Sequence, residues 1–226
     1  MTAKELAVQG RRITLWGDTA SPRVFIQPVD QSDLEAMEGQ CQALATLCGH
    51  RDWCIAALSM EDWNRELTPW TNPPVFGKTG FGDGAGDTLS LICTALLPAL
   101  EDEFPVRDRK IYLCGYSLAG LFALWSGYQT TRFAGIAAVS PSVWYPGWID
   151  YAREHPCMAQ RVYLSLGDRE EKAKNKVMAT VGKAIRLEHR LLTEQGVDAA
   201  LEWNSGNHFV DSDRRMALGL AWLLEK

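Results

Sequence analysis

The chain has 226 residues, room for one large α/β domain or two small ones, and its 46% hydrophobic and 23% charged side chains exclude a disordered polypeptide. With 23 basic against 28 acidic residues the formal charge is −5, which argues against nucleic acid or anionic lipid as a partner, since both need a dominant basic field. No apolar run approaches the roughly 18 residues of a membrane span, and Met1-Thr2-Ala3-Lys4-Glu5-Leu6 lacks the apolar core of a secretion signal, so a cytoplasmic protein with no membrane partner is expected.

In chain order, residues 12–16 predict a strand, 18–22 a turn, and 24–26 a second strand ending at Pro28-Val29-Asp30. Leu34, Met37, Cys41, Leu44 and Leu47 recur at helical spacing and predict a helix over 34–48. A buried strand follows at 53–58, then an irregular stretch, 61–86, rich in Gly, Pro and Trp. Helix 88–104, strand 110–114, helix 118–128 and strands 135–140 and 161–166 come next. The pattern then predicts a long amphipathic helix over 173–195 stopped by Gly196, a strand over 198–203 and a helix over 214–224. This alternation is that of an α/β protein with a mostly parallel sheet and helices on both faces. With no repeats or linker-like breaks, a single domain over 1–226 is expected, leaving little room for a separate lid domain.

Six cysteines (Cys41, Cys48, Cys54, Cys93, Cys114 and Cys157) form no C-x-x-C pair. Several lie in apolar stretches such as Leu91-Ile92-Cys93, so they read as reduced core thiols and imply neither cofactor nor metal.

The chemistry concentrates at Lys110–Gly120. An apolar strand runs into Gly115-Tyr116-Ser117-Leu118-Ala119-Gly120 and an apolar helix begins at once. Ser117 therefore sits on a strand-to-helix turn so tight that its neighbours two residues away on either side must be small, which is the physical content of a nucleophile elbow. The turn lifts the hydroxyl above the sheet and puts the Leu118 N–H at a helix N-terminus, where it can stabilise an oxyanion. Ala119 occupies a position that is usually glycine, a mild departure for so small a side chain.

An elbow serine needs a base and an acid, in the chain order serine, acid, histidine. His50 precedes Ser117, His189 lies in a predicted helix beside Arg190, and His155 has no strand leading to it. His208 follows the last predicted strand through Asn204-Ser205-Gly206-Asn207, and is the candidate base. The acid should follow strand 161–166, where the loop carries Asp168, Glu170 and Glu171. The spacing Gly167-Asp168-Arg169-Glu170 resembles the G-x-x-[DE] turn of many α/β-hydrolases and favours Glu170, with Asp168 and then Glu171 as alternatives.

Across residues 24–210 the chain resembles the esterase branch of the α/β-hydrolases that includes the enterochelin (siderophore triester) esterases. The likeness is carried by Val29-Asp30-Gln31, Arg65-Glu66-Leu67-Thr68-Pro69, the glycine-rich 76–86 segment, the elbow, Ser140-Pro141-Ser142-Val143-Trp144, the acid loop and Gly206-Asn207-His208. The resemblance implies a second oxyanion donor at the Asp30–Gln31 loop, where Gln31 replaces a common glycine, and Tyr116 replaces a frequent histidine. It implies a serine carboxylester hydrolase with a small-molecule ester substrate. Siderophore trilactones, simple acyl or aryl esters and thioesters are all within reach of that machinery, and the alternative is a binding protein of the same fold that has lost activity.

Gly77-Lys78-Thr79 lacks the glycine and preceding strand of a phosphate-binding loop, and no βαβ unit frames Gly80–Gly86 as a dinucleotide site. His208 with Asp211 and Asp213 has no second histidine at ligand spacing, so no metal is expected. Of nine tryptophans, Trp16, Trp125 and Trp222 lie in predicted elements and read as core. Trp63, Trp70, Trp144 and Trp148 fall in predicted loops on the serine side and read as cleft walls, with ordinary loop packing as an equal alternative. Arg65, Lys78 and Arg132 are the candidate basic groups for an anionic substrate.

Overall fold

The computed structural model describes residues 4–225; the first three residues of the segment read for a secretion signal, and Lys226, lie outside it. Eight strands form one sheet: β1 (Lys4–Val8), β2 (Arg11–Gly17), β3 (Arg23–Val29), β4 (Cys54–Ser59), β5 (Lys110–Tyr116), β6 (Gly135–Val139), β7 (Arg161–Gly167) and β8 (Asp198–Asn204). Their order is β1-β2-β4-β3-β5-β6-β7-β8, antiparallel from β1 to β4 and parallel from there on. Strand β1 carries only a weak apolar alternation and escapes the sequence reading. The signal for it is the turn Gln9-Gly10, where both residues take the positive φ that a two-residue hairpin needs.

The parallel strands read as continuous apolar runs because both faces are covered. Helices α1 (Gln31–Cys48) and α8 (Ser212–Leu224) cover one face, over Phe25, Ile55, Cys114, Ala137 and Tyr163. The other face, over Ile26, Ala56, Leu113, Ala138 and Leu164, is covered mainly by α3 (Ala85–Leu91), α4 (Leu97–Glu103), α5 (Leu118–Ser126), α6 (Trp148–Glu154) and α7 (Val181–Glu194), with α2 (Trp63–Glu66) a single turn beside it. Helices α3 and α4 are one continuous rod with a π-turn over Ile92–Leu96, where the Leu97 N–H reaches back to the Ile92 carbonyl. Pro98 supplies the cause: it has no N–H and its ring crowds the carbonyl four residues back, so the helix widens there.

Two expectations are corrected. The long helix over 173–195 begins only at Val181, after short 3-10 turns at Glu170–Lys172 and Met178–Thr180. Asn175 breaks it, its side-chain oxygen accepting the N–H groups of Val177 and Met178 while its amide donates to the Val75 carbonyl at 2.6 Å. Trp148 is no cleft wall: it opens α6 and is fully buried, as is Trp53, whereas Trp16, Trp125 and Trp222 are half-buried.

The Trp148 indole donates to Glu188 Oε2 at 3.0 Å and the Tyr128 hydroxyl to Oε1 at 2.7 Å, tying α6 and the end of α5 to α7. Glu188 is 0% exposed, and burial pushes its carboxyl from 4.5 up to about 7. Its contribution to stability is therefore fully present below 4.5 and lost as the pH rises through about 7. In Glu188→Gln the amide oxygen can accept from Trp148 while the NH2 donates to the Tyr128 oxygen, so both bonds survive without the charge. The variant should be more stable than the parent by about 2 kcal/mol at pH 8 and by much less at pH 5, read as melting temperatures at the two pH values.

Every predicted catalytic position lies shortly after the C-terminal end of a parallel strand: Asp30–Gln31 after β3, Ser117 after β5, Glu170 after β7 and His208 after β8. That end of an open α/β sheet is where such folds place ligands.

Candidate active site

Ser117 stands between β5 and α5 at φ 58° and ψ −119°, a conformation that costs a non-glycine residue strain. The turn closes only because Gly115 has no side chain: a Cβ there would overlap the Ala119 carbonyl. Ala119 is tolerated opposite it for that reason. Gly120 is confined less severely, with the Gly115 oxygen 3.0 Å from where its Cβ would sit. The Ser117 N–H donates to the Val139 carbonyl at 3.1 Å, pinning the turn to β6. Leu118 and Gln31 are the first residues of α5 and α1, so the N–H of each lacks an intrahelical acceptor. The Gln31 side chain turns along its own helix and donates to Glu35 Oε1 at 3.3 Å.

The loop after β8 carries His208 to Ser117, with Nε2 3.0 Å from the Ser117 Oγ. On the other side Nδ1 lies 2.7 Å from Glu170 Oε2. An ionised carboxylate only accepts, so Nδ1 carries the proton and Nε2 is left as the acceptor for the serine hydroxyl. Glu170 is 7% exposed, and its Oε1 accepts from the Gly167 N–H at 2.8 Å, Ser140 Oγ at 2.7 Å and Arg215 Nη1 at 3.2 Å. Burial alone would raise its pKa. The hydrogen bond and charge of His208, with the bonds from Gly167 and Ser140, outweigh burial and hold it below the usual carboxylate value.

The alternative acids are elsewhere. Asp168 Oδ1 accepts the Gly206 N–H at 2.9 Å and so shapes the histidine loop, and Glu171 pairs with Arg186 at 2.9 Å.

Two cavities meet at His208 and Phe209. One, about 240 Å³, holds Ser117 with Asp30, Asp33, Trp63 and Tyr116 in its walls. Burial pushes the Asp33 carboxyl up to about 6, against the lowering effect of the Asp30 N–H. The other, about 400 Å³, is walled by Trp144, Met178, Val181 and Phe209, with Arg169 and Lys172 at its exposed edge. Phe209 is 87% exposed beside the imidazole. Trp63 and Trp144 thus line the site, one in each cavity. Arg65 does not: it lines a separate polar cavity with Arg11, Glu66 and Asp87. Arg132 precedes β6, at the opposite end of the sheet, and Lys78 lines neither active-site cavity. Trp70 is pinned in loop packing, its indole donating to the Pro146 carbonyl at 2.9 Å and its ring against Tyr145 and Tyr151.

Sequence reasoning misses Arg215, Ser140 and the role of Tyr116. Arg215 is 1% exposed on the buried stripe of α8, in line with Gly219 and Leu223. A charge on the apolar face of an amphipathic helix is the available signal, because a buried cation requires an anionic partner.

The sheet order, the elbow and the site at the strand ends define an α/β-hydrolase fold. The chain matches the Putative esterase family over residues 69–214, more than half its length, and belongs to that family. It is 25% identical over 224 residues to the uncharacterized protein YbbA of Bacillus subtilis, covering 91% of this chain and 86% of that one. Its fold is similar to that of an IroE-like serine hydrolase from Shewanella oneidensis, with a TM-score of 0.79 at 16% identity, covering 98% of this chain and 79% of that one. It is similar also to the siderophore hydrolase EstB from Aspergillus nidulans, with a TM-score of 0.68 at 17% identity over 98% and 94% of the two chains. The enterobactin esterase FES of Shigella flexneri, in the presence of enterobactin, gives a TM-score of 0.71 at 19% identity, covering 99% of this chain and 58% of that one. At these identities the structural likeness is one of fold. Membership of the family supports an esterase activity. Among the described residues no helix is long and apolar enough to cross a membrane.

Proposed function

We propose that the protein is a serine carboxylester hydrolase that works through an acyl-enzyme. The observation that carries this reading is the unbroken chain from Ser117 Oγ to His208 Nε2 at 3.0 Å and from Nδ1 to Glu170 at 2.7 Å. As Oγ attacks the ester carbonyl, His208 takes its proton, and Glu170 holds the imidazole in the reactive tautomer and stabilises the imidazolium. The Leu118 and Gln31 N–H groups receive the developing oxyanion. His208 then protonates the departing alcohol, and water, deprotonated by the same imidazole, attacks the acyl-enzyme and releases Ser117.

The apolar cavity beside His208, walled by Trp144, Met178 and Val181, supports an aryl or bulky acyl group. Arg169 and Lys172 at its edge, with the shared fold of the siderophore hydrolase EstB, extend that to anionic, siderophore-type esters. Six unpaired thiols support a reducing, cytoplasmic setting, and the continuous sheet supports a single domain with no separate lid.

A panel of p-nitrophenyl acetate, butyrate and benzoate, matched thioesters and a catechol trilactone tests the reading. Turnover of the oxygen esters with a preference for the aryl or bulky acyl members is expected. A folded protein that turns over none of them and takes up no fluorophosphonate is a binding protein of this fold.

A further inference from the structure

The guanidinium of Arg215 is fully buried and finds its partners in the site at both terminal nitrogens, while its Nε has no partner among the described residues. Its Nη1 lies 3.2 Å from Glu170 Oε1, 3.2 Å from the Tyr116 hydroxyl and 3.4 Å from Ser140 Oγ. Its Nη2 donates to the Ser205 carbonyl at 2.9 Å. The Tyr116 hydroxyl donates in turn to the His208 carbonyl at 2.8 Å, and its ring packs against the imidazole with centroids 5.2 Å apart. One planar fork therefore grips the acid directly and the histidine loop twice: at Ser205 upstream, and at His208 through Tyr116. Gly167 is shaped to admit it, since a Cβ there would stand 3.0 Å from both Nη atoms.

We infer that Arg215 is a positioning residue of the active site: it braces Glu170 and the backbone of the His208 loop against each other, and its charge offsets that of the carboxylate. The inference rests on the serine-hydrolase reading. Arginine fits the task because its donors form a fixed fork; lysine carries the charge on a single head that cannot span Glu170 and Ser205.

Without the guanidinium, Glu170 keeps only neutral donors and His208. The buried carboxylate then either takes up a proton or draws a proton onto the imidazole, and both remove the free base. Either route moves the acid limb of the rate profile to higher pH. The charged and titratable groups around the pair are His208 on its loop, Tyr116 on β5, Asp168, Arg169, Glu171 and Lys172 on the loop after β7, Asp211 and Asp213 at the start of α8, and Asp30 and Asp33 across the cavity. All are common to parent and variants except in Tyr116→Phe, which removes a hydroxyl that burial already holds un-ionised.

The test compares Arg215→Met, Arg215→Lys and Tyr116→Phe with the parent. Readouts are kcat and KM on p-nitrophenyl butyrate from pH 5 to 9, the rate of phosphonylation by a fluorophosphonate, and the melting temperature. In Arg215→Met, kcat should fall about 10- to 100-fold with KM little changed, and the acid limb should rise by about one pH unit. Arg215→Lys should fall between parent and Arg215→Met, and Tyr116→Phe should show a smaller loss in the same direction. A folded Arg215→Met with parental kcat, or one lowered equally at every pH, overturns the inference. If Arg215→Met does not fold, an unmoved profile in both other variants overturns it. A parent protein that neither turns over the ester nor is phosphonylated overturns the serine-hydrolase reading itself, a result distinct from any of these.

Discussion

Ser117→Ala should lower kcat on p-nitrophenyl esters by about ten-thousand-fold or more while leaving the melting temperature unchanged. The separation follows from what the side chain touches. Its Oγ meets His208 Nε2 at 3.0 Å and Ser142 Oγ at 3.4 Å, and neither contact joins elements that other bonds do not already join. Alanine keeps the Cβ and hence the same strained backbone at φ 58°, so the elbow is neither relieved nor worsened. What remains is the binding and oxyanion stabilisation that the N–H groups supply without a nucleophile. Retention of more than about one per cent of parental kcat would place the nucleophile elsewhere, with the Ser142 hydroxyl the nearest alternative.

Glu170→Gln carries the second large effect, and its direction is set by donors. The Gly167 N–H, Ser140 Oγ and Arg215 all point at Oε1, so the amide oxygen must take that place and the NH2 must face His208. An NH2 at Nδ1 makes that nitrogen the acceptor and leaves a proton on Nε2, the wrong tautomer for removing the serine proton. A loss in kcat of about a thousand- to ten-thousand-fold is expected. The variant should also lose about 3 kcal/mol, because Arg215 is left buried without its counter-charge. In the parent, the lowered pKa of Glu170 gives stability that is present above the ordinary carboxylate value and lost as the pH falls through the folded value. The variant should therefore lose less stability than the parent on acidification. Asp168→Asn is the control: asparagine can still accept the Gly206 N–H, so kcat should stay within about threefold of the parent. Steady-state kinetics and urea unfolding of the three proteins decide between the carboxylates. A large loss in Asp168→Asn with Glu170→Gln unaffected would reverse the assignment.

What the sequence reveals of this molecule divides by range. The elbow is legible because its cause is local: a strand, a residue at positive φ and a helix within eleven residues leave no room for a side chain at Gly115. His208 is legible through chain order and the glycine-bearing loop before it, and Glu170 through the turn at Gly167. The parallel strands announce themselves because both faces are buried. The rest depends on partners distant in sequence. Arg215 meets Glu170 and Tyr116 across 45 and 99 residues, and no local pattern on α8 names either partner. Asn175 ends a helical periodicity by bonding a carbonyl 100 residues away. Arg65, Arg132 and Trp148 share the composition of a substrate cleft, yet the chain path sends them to another cavity, the far end of the sheet and the core.

A fluorophosphonate reagent reports directly on whether the Ser117 hydroxyl is activated, independently of substrate identity, since an unassisted serine hydroxyl does not react with it. Stoichiometric incorporation into the folded protein, found by mass spectrometry on the peptide carrying Ser117, slowed in Glu170→Gln and absent in Ser117→Ala, is the predicted result. A folded parent protein that takes up no label, or takes it up on a different serine, would contradict it.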